Sequence, residues 1–128
     1  MLPRIFVYGT LRPHQQRWPA IERYVARHEP ATIEGFVLYD LPQGYPAIAP
    51  GHGEVAGALL HLHEEHAERA VAEADEIEGY VEDSPQSLYE RVAVDVGDVQ
   101  AYTYVFHPNR RAYLKSHGEL VDGGDWLR

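Results

Sequence analysis

The chain has 128 residues, 20 acidic and 11 basic side chains, and a formal net charge of -9. It contains no cysteine, which excludes disulfides, thiolate nucleophiles and Cys-based zinc sites. The acidic balance disfavours nonspecific nucleic-acid binding, which rests on Lys and Arg neutralising phosphates.

This length corresponds to one domain, residues 1–128, able to bury a core without staples. No apolar run approaches the roughly 20 residues of a membrane-spanning helix. The short apolar stretch behind Arg4 lacks the length of a signal-peptide core, so a cytoplasmic protein away from membranes is expected. There is no internal repeat and no low-complexity tract.

In chain order, Arg4 to Tyr8 reads as a buried strand, stopped by Gly9 and Thr10. A corner at a strand end exposes unpaired backbone N–H groups; it is either an ordinary turn or a place that holds an anion. Gly9 permits backbone conformations closed to other residues, and Thr10 can cap the next turn of chain. Neither GxGxxG nor GxxxxGK occurs, so no nucleotide site is implied. A short helix is predicted next, with Trp18, Ile21, Tyr24 and Val25 on one face and Pro19 in its first turn.

The stretch TIEGFVLYDL reads as a strand with a bulge at Gly35, and the Pro- and Gly-rich LPQGYPAIAPGHG as a loop holding at most a short strand. EVAGALLHLH alternates as a strand, with Ala56, Ala58, Leu60 and Leu62 on one face and Val55, Gly57, Leu59, His61 and His63 on the other. The clearest helix is EEHAERAVAEADEIEG. Glu64 and Glu65 start it, Ala67, Ala70, Val71, Ala74 and Ile77 form its apolar stripe, and Gly79 stops it. Two further strands, LYERVAVDV and VQAYTYVFH, meet at a Gly97-Asp98 hairpin turn. The tail VDGGDWLR is turn-like, with Trp126 as its anchor. Strands that do not alternate regularly with helices argue an α+β fold around a mostly antiparallel, curved or closed sheet.

Glu78 stands out chemically. It lies four residues after Ala74 and seven after Val71, on the apolar stripe, in the last turn where the helix dipole disfavours negative charge. Burial, dipole and the neighbouring Glu73, Asp75, Glu76, Glu82 and Asp83 all push its pKa upward, toward the range useful to a general acid or base. The alternative is a structural role, capping a loop amide or pairing with Arg91. His61, His63 and His66 have a permissible metal-ligand spacing but no clear carboxylate partner, and a solvated strand face explains them better. Ser84, Ser87 and Ser116 sit on no nucleophile elbow.

VYGTLR, GYPAI, GALLHL, DEIEG, LYERVAV and GGDW occur in this order along the chain. The set resembles the γ-glutamylcyclotransferase-like superfamily, in its AIG2-like and γ-glutamylamine cyclotransferase-like branch. The resemblance implies a small, mixed, mostly antiparallel barrel-like sheet with two main helices and a cavity. It implies that Tyr8, Gly9, Thr10 and Leu11 contact a glutamyl substrate, that Glu78 of D-x-x-E-G is the acid/base, with Asp75 as the motif's Asp, and that Tyr89 of Y-x-R lies near the pocket. The pattern is departed from at Ala74, where Leu is usual, and at Pro13, where a polar residue is usual.

The implied reaction closes the γ-glutamyl group on itself, releasing 5-oxoproline and an amine, without metal or cofactor. Arg12 is expected to help the corner hold the substrate carboxylate against the acidic field of the chain. Two readings stand beside it: a binding module holding an amino-acid-like ligand in the same cavity, and a metal-dependent hydrolase built on the three histidines. Selectivity for the leaving amine is expected in Gln43 to Ile48 and Glu82 to Leu88.

Overall fold

Two long strands dominate the computed structural model, which describes residues 1–127. The 16-residue β2 (Val25–Asp40) and the 17-residue β3 (Pro46–Leu62) pair antiparallel along their length. The connection is only Leu41 to Tyr45, closed by the Leu41 N–H on the Tyr45 carbonyl at 3.1 Å. The predicted long loop is therefore mostly strand. Its prolines mislead because they occupy the positions a strand tolerates: Pro46 is the first strand residue, and Pro50 adjoins the register break opposite Gly35. The bulge expected at Gly35 is present, as a register shift between Glu34 and Phe36.

β1 (Arg4–Val7) lies beside β3, antiparallel, and beside β5 (Val99–Phe106), parallel. β4 (Tyr89–Val96) and β5 form the predicted hairpin, with Val96 opposite Val99 across Gly97-Asp98. β6 (Glu119–Leu120) closes the far edge against Tyr39 and Asp40. The sheet order is β4-β5-β1-β3-β2-β6. The sheet is mixed and curls into a half-barrel, so that β2 also approaches β4.

Strand alternation sends Ile5 and Val7 to one core and Phe6 and Tyr8 to another. The first core takes the buried face of helix α1 (Ala67–Glu78), namely Ala67, Ala70, Val71 and Ala74. The second is drawn from strands and the C-terminal tail, with Trp126 packed against it and its Nε1–H on Asp40 Oδ1 at 3.1 Å.

The predicted helix around Trp18 is instead two 3-10 turns, Trp18–Ala20 and Glu22–Tyr24, after which Val25 already begins β2. Trp18, Ile21 and Tyr24 are buried at a spacing of three, the period of a 3-10 helix. Likewise Glu64–His66 is a 3-10 turn leading into α1. The second α-helix is α2 (Arg111–His117), whose one fully buried side chain, Leu114, leaves no apolar stripe to read. Among the described residues no helix is long and apolar enough to cross a membrane.

Candidate active site

The Gly-Thr corner is tied by two backbone bonds, Arg12 N–H to the Gly9 carbonyl at 3.1 Å and Arg17 N–H to the Thr10 carbonyl at 2.8 Å. The N–H groups of Thr10 and Leu11 donate to nothing among the described residues. Gly9 does not have a positive φ, so conformational freedom is not why it is glycine. A Cβ there would stand 2.7 Å from Pro46 Cγ, inside contact distance, and only glycine lets the start of β3 close over the corner.

At the end of α1, Gly79 turns left-handed (φ 66°, ψ 40°), and the Tyr80 N–H returns to the Asp75 carbonyl at 2.9 Å. Glu78 is thus the last residue of the helix. The side chain of Asp75 anchors this turn: its Oδ2 accepts from Arg91 Nη1 at 2.6 Å and its Oδ1 from the Tyr104 hydroxyl at 2.7 Å. Arg91 therefore serves Asp75, and the alternative that it pairs with Glu78 does not hold. Glu78 hydrogen-bonds to no protein group among the described residues. Removal from water lifts its carboxyl to a pKa of about 7, against the opposing pull of the Arg17 guanidinium. The direction is the expected one; burial is its main cause, not the crowd of acidic neighbours.

Glu78 lines a cavity of about 310 Å³ together with Tyr8, Gly9, Thr10 and Leu11 from the corner, Tyr45 and Pro46 from the start of β3, Tyr89 and Tyr104 from β4 and β5, and Gln16 and Arg17. All six residues singled out for the site thus share one cavity. The hydroxyl of Tyr89 donates to the Pro46 carbonyl at 2.6 Å and that of Tyr8 to the Tyr104 carbonyl. Burial, reinforced by the charge of Glu78, raises both phenol pKa values far above the ordinary range, so both stay protonated.

Arg12 does not reach the cavity. It pairs with Asp125 Oδ1 at 2.8 Å and pins the tail to the corner. Among the described residues the cation at the cavity is Arg17, which the spacing pattern hides because it predicts a helix there. Tyr104 is hidden too, since strand alternation alone does not distinguish it from a core aromatic. Ser87 holds its own loop, with Oγ bonded to both backbone groups of Val81.

The histidines do not converge. His61 Nε2 bonds to Glu29 Oε2 at 2.7 Å across the β2–β3 ladder, and this contact lowers the Glu29 carboxyl pKa. His63 and His66 meet edge to face at 6.4 Å. Among the described residues no three His, Cys, Asp or Glu side chains cluster as a metal site.

A profile described as "Gamma-glutamyl cyclotransferase, AIG2-like" matches residues 5–128. The chain belongs to this family. A Halalkalibacterium halodurans relative is 36% identical over 93 residues, 70% of this chain and 77% of that one. The "Gamma-L-glutamyl-butirosin B gamma-glutamyl cyclotransferase" of Niallia circulans is 31% identical over 120 residues, 90% of this chain and 72% of that one. Among solved structures, an uncharacterised Pyrococcus horikoshii protein superposes with a TM-score of 0.70 at 22% identity, covering 96% of this chain and 88% of the other, and so shares the fold. Family and relatives together support γ-glutamyl cyclotransferase activity in general terms.

Proposed function

We propose that this chain converts a small γ-glutamyl amide into 5-oxoproline and a free amine, with Glu78 as general acid/base. One observation carries the reading: a carboxyl with no protein partner and a pKa near neutrality shares a cavity with the undonated N–H groups of Thr10 and Leu11.

Those amides, with Arg17, hold the substrate α-carboxylate. This offsets the repulsion an anion meets from a chain of net charge -9. The phenol oxygens of Tyr8 and Tyr89 have donated their protons to carbonyls and keep lone pairs that accept from the substrate amine. The uncharged α-amine attacks its own γ-carbonyl carbon, and the new C–N bond closes a five-membered ring. Glu78 takes a proton from the attacking nitrogen and delivers it to the leaving nitrogen as the old C–N bond breaks. No net proton is gained or lost. The nucleophile is tethered, and effective molarities for such oriented attack reach about 10⁵ M or more, so holding the folded conformer is most of the task.

Incubating the protein with a panel of γ-glutamyl compounds and assaying 5-oxoproline tests this. The expected result is release by wild type and a kcat lower by roughly 10² to 10⁴ in Glu78→Gln, the usual contribution of a general acid/base, while 5-oxoproline still binds. A folded Glu78→Gln variant that turns over at the wild-type rate would remove Glu78 from the mechanism. Binding of γ-glutamyl compounds with no release by wild type would favour the binding-module reading.

A further inference from the structure

Beside the Glu78 cavity lies a second one of about 350 Å³, between the β2–β3 connection and the segment leading into α2. Gln43, Tyr45 and Leu88 line both, so the two adjoin across three shared side chains. The floor of the second is apolar: Leu41 and Phe106 are buried there. Its charge is opposite to that of the molecule. The chain is at -9, yet among the described residues no carboxylate lines the second cavity and only Glu78 lines the first. Among the described residues the formal cations are Arg17 in the first and Arg110 in the second. Arg110 donates to the carbonyls of Ser87 at 3.1 Å and Gln86 at 2.9 Å, which orders its guanidinium without neutralising it. The guanidinium of Arg17 has no hydrogen bond or ion pair among the described residues.

We infer that the second cavity receives the leaving group, and that this group is an α-amino acid with a large apolar side chain and not a diamine or other cationic amine. The inference rests on the ring-closing reading above: the glutamyl part folds back beside Glu78, and the substituent on the departing nitrogen must leave past Gln43, Tyr45 and Leu88. An apolar side chain gains by burial on Leu41 and Phe106. A carboxylate on the carbon next to the departing nitrogen meets Arg110. A cationic amine would instead meet the guanidinium of Arg110 at the exposed wall of a cavity in which, among the described residues, no carboxylate offers a partner. In the balanced step the γ-amide C–N bond breaks and the nitrogen departs with Glu78's proton as the α-amine of the free amino acid.

The test compares γ-glutamylphenylalanine with γ-glutamylputrescine. Wild-type kcat/KM is measured on both, and calorimetric Kd values are measured with Glu78→Gln, which needs no turnover. The expected preference for the phenylalanine compound is about tenfold or more in each. Gln43→Glu places an isosteric carboxylate on an exposed residue shared by the two cavities, where the Tyr113 hydroxyl, now an acceptor at 2.8 Å, can rotate to donate. It should narrow or invert the preference. Equal or better use of γ-glutamylputrescine, or a ratio unmoved by Gln43→Glu, would overturn the inference. Preferential binding of the phenylalanine compound without 5-oxoproline release would sink the ring-closing reading while upholding the cavity assignment.

Discussion

Glu78 sits where a carboxylate is least comfortable, and its discomfort makes a stability prediction with a definite sign. Its pKa is about 7 in the folded chain and near the reference of about 4.3 when unfolded. Between those values the folded state holds the proton more tightly than the unfolded state does. The contribution of this group to stability is therefore full below the unfolded value and is lost as pH rises toward 7. Glu78→Gln abolishes that loss, and other titrating groups are common to both proteins. Thermal melts should show the variant more stable than wild type at pH 8 and the two converging by pH 4. A variant less stable at pH 8 would mean that the ionised carboxylate has a partner. The histidines carry the opposite expectation for activity. His61 is occupied by Glu29, and neither it nor His63 lines the Glu78 cavity, so His61→Gln with His63→Gln should leave turnover within about 3-fold, in line with surface substitutions. Loss of turnover restored by added zinc would contradict this.

At the scale of elements, the site depends on how α1 ends. Asp75, one turn before Glu78, ties the helix to β4 through Arg91 and to β5 through Tyr104, while Gly79 reverses the chain. The pair is mostly buried, with side chains 20% and 19% exposed. Breaking it leaves Arg91 without its anion. Asp75→Asn should destabilise by about 1–3 kcal/mol, the range for a charged group deprived of its hydrogen-bond partner. It should also lower kcat more than it weakens 5-oxoproline binding, because it displaces Glu78 and leaves the corner untouched. Melts and 5-oxoproline titrations on the variant separate the two effects. An unchanged kcat would reduce Asp75 to a packing role.

At the scale of the whole molecule, the acidic field and the local cations act at different ranges. A net charge of -9 repels an anionic substrate over many ångströms, whereas Arg17 and the corner amides act on contact. The Debye length is about 10 Å at 0.1 M salt, so added salt screens the long-range repulsion more than the contacts inside the cavity. kcat/KM for a substrate of net negative charge such as γ-glutamylphenylalanine should therefore rise a few-fold between about 10 mM and 150 mM salt. A fall across that range would mean that the contact cations dominate the approach.

Elements with a strong local period were legible in the sequence. The stripe and glycine stop of α1, the Gly97-Asp98 hairpin, the bulge at Gly35 and the anchoring role of Trp126 all come from side-chain spacing and turn chemistry, which act over a few residues. Glu78 was legible for the same reason, as a carboxyl out of place on an apolar face, and the ordered short motifs pointed to the family. What needed the tertiary structure were choices made by partners distant in sequence. Pro46 and Pro50 could belong to a strand because β2 lay alongside. Trp18, Ile21 and Tyr24 took a 3-10 period because β2 had to begin at Val25. Gly9 is glycine because Pro46 packs over it. Arg12 went to Asp125 and left Arg17 to the cavity, since which of two nearby arginines finds a carboxylate depends on where the tail returns. Local propensities reach only a turn or two along the chain, whereas a cavity is closed by residues brought together from its two ends and its middle.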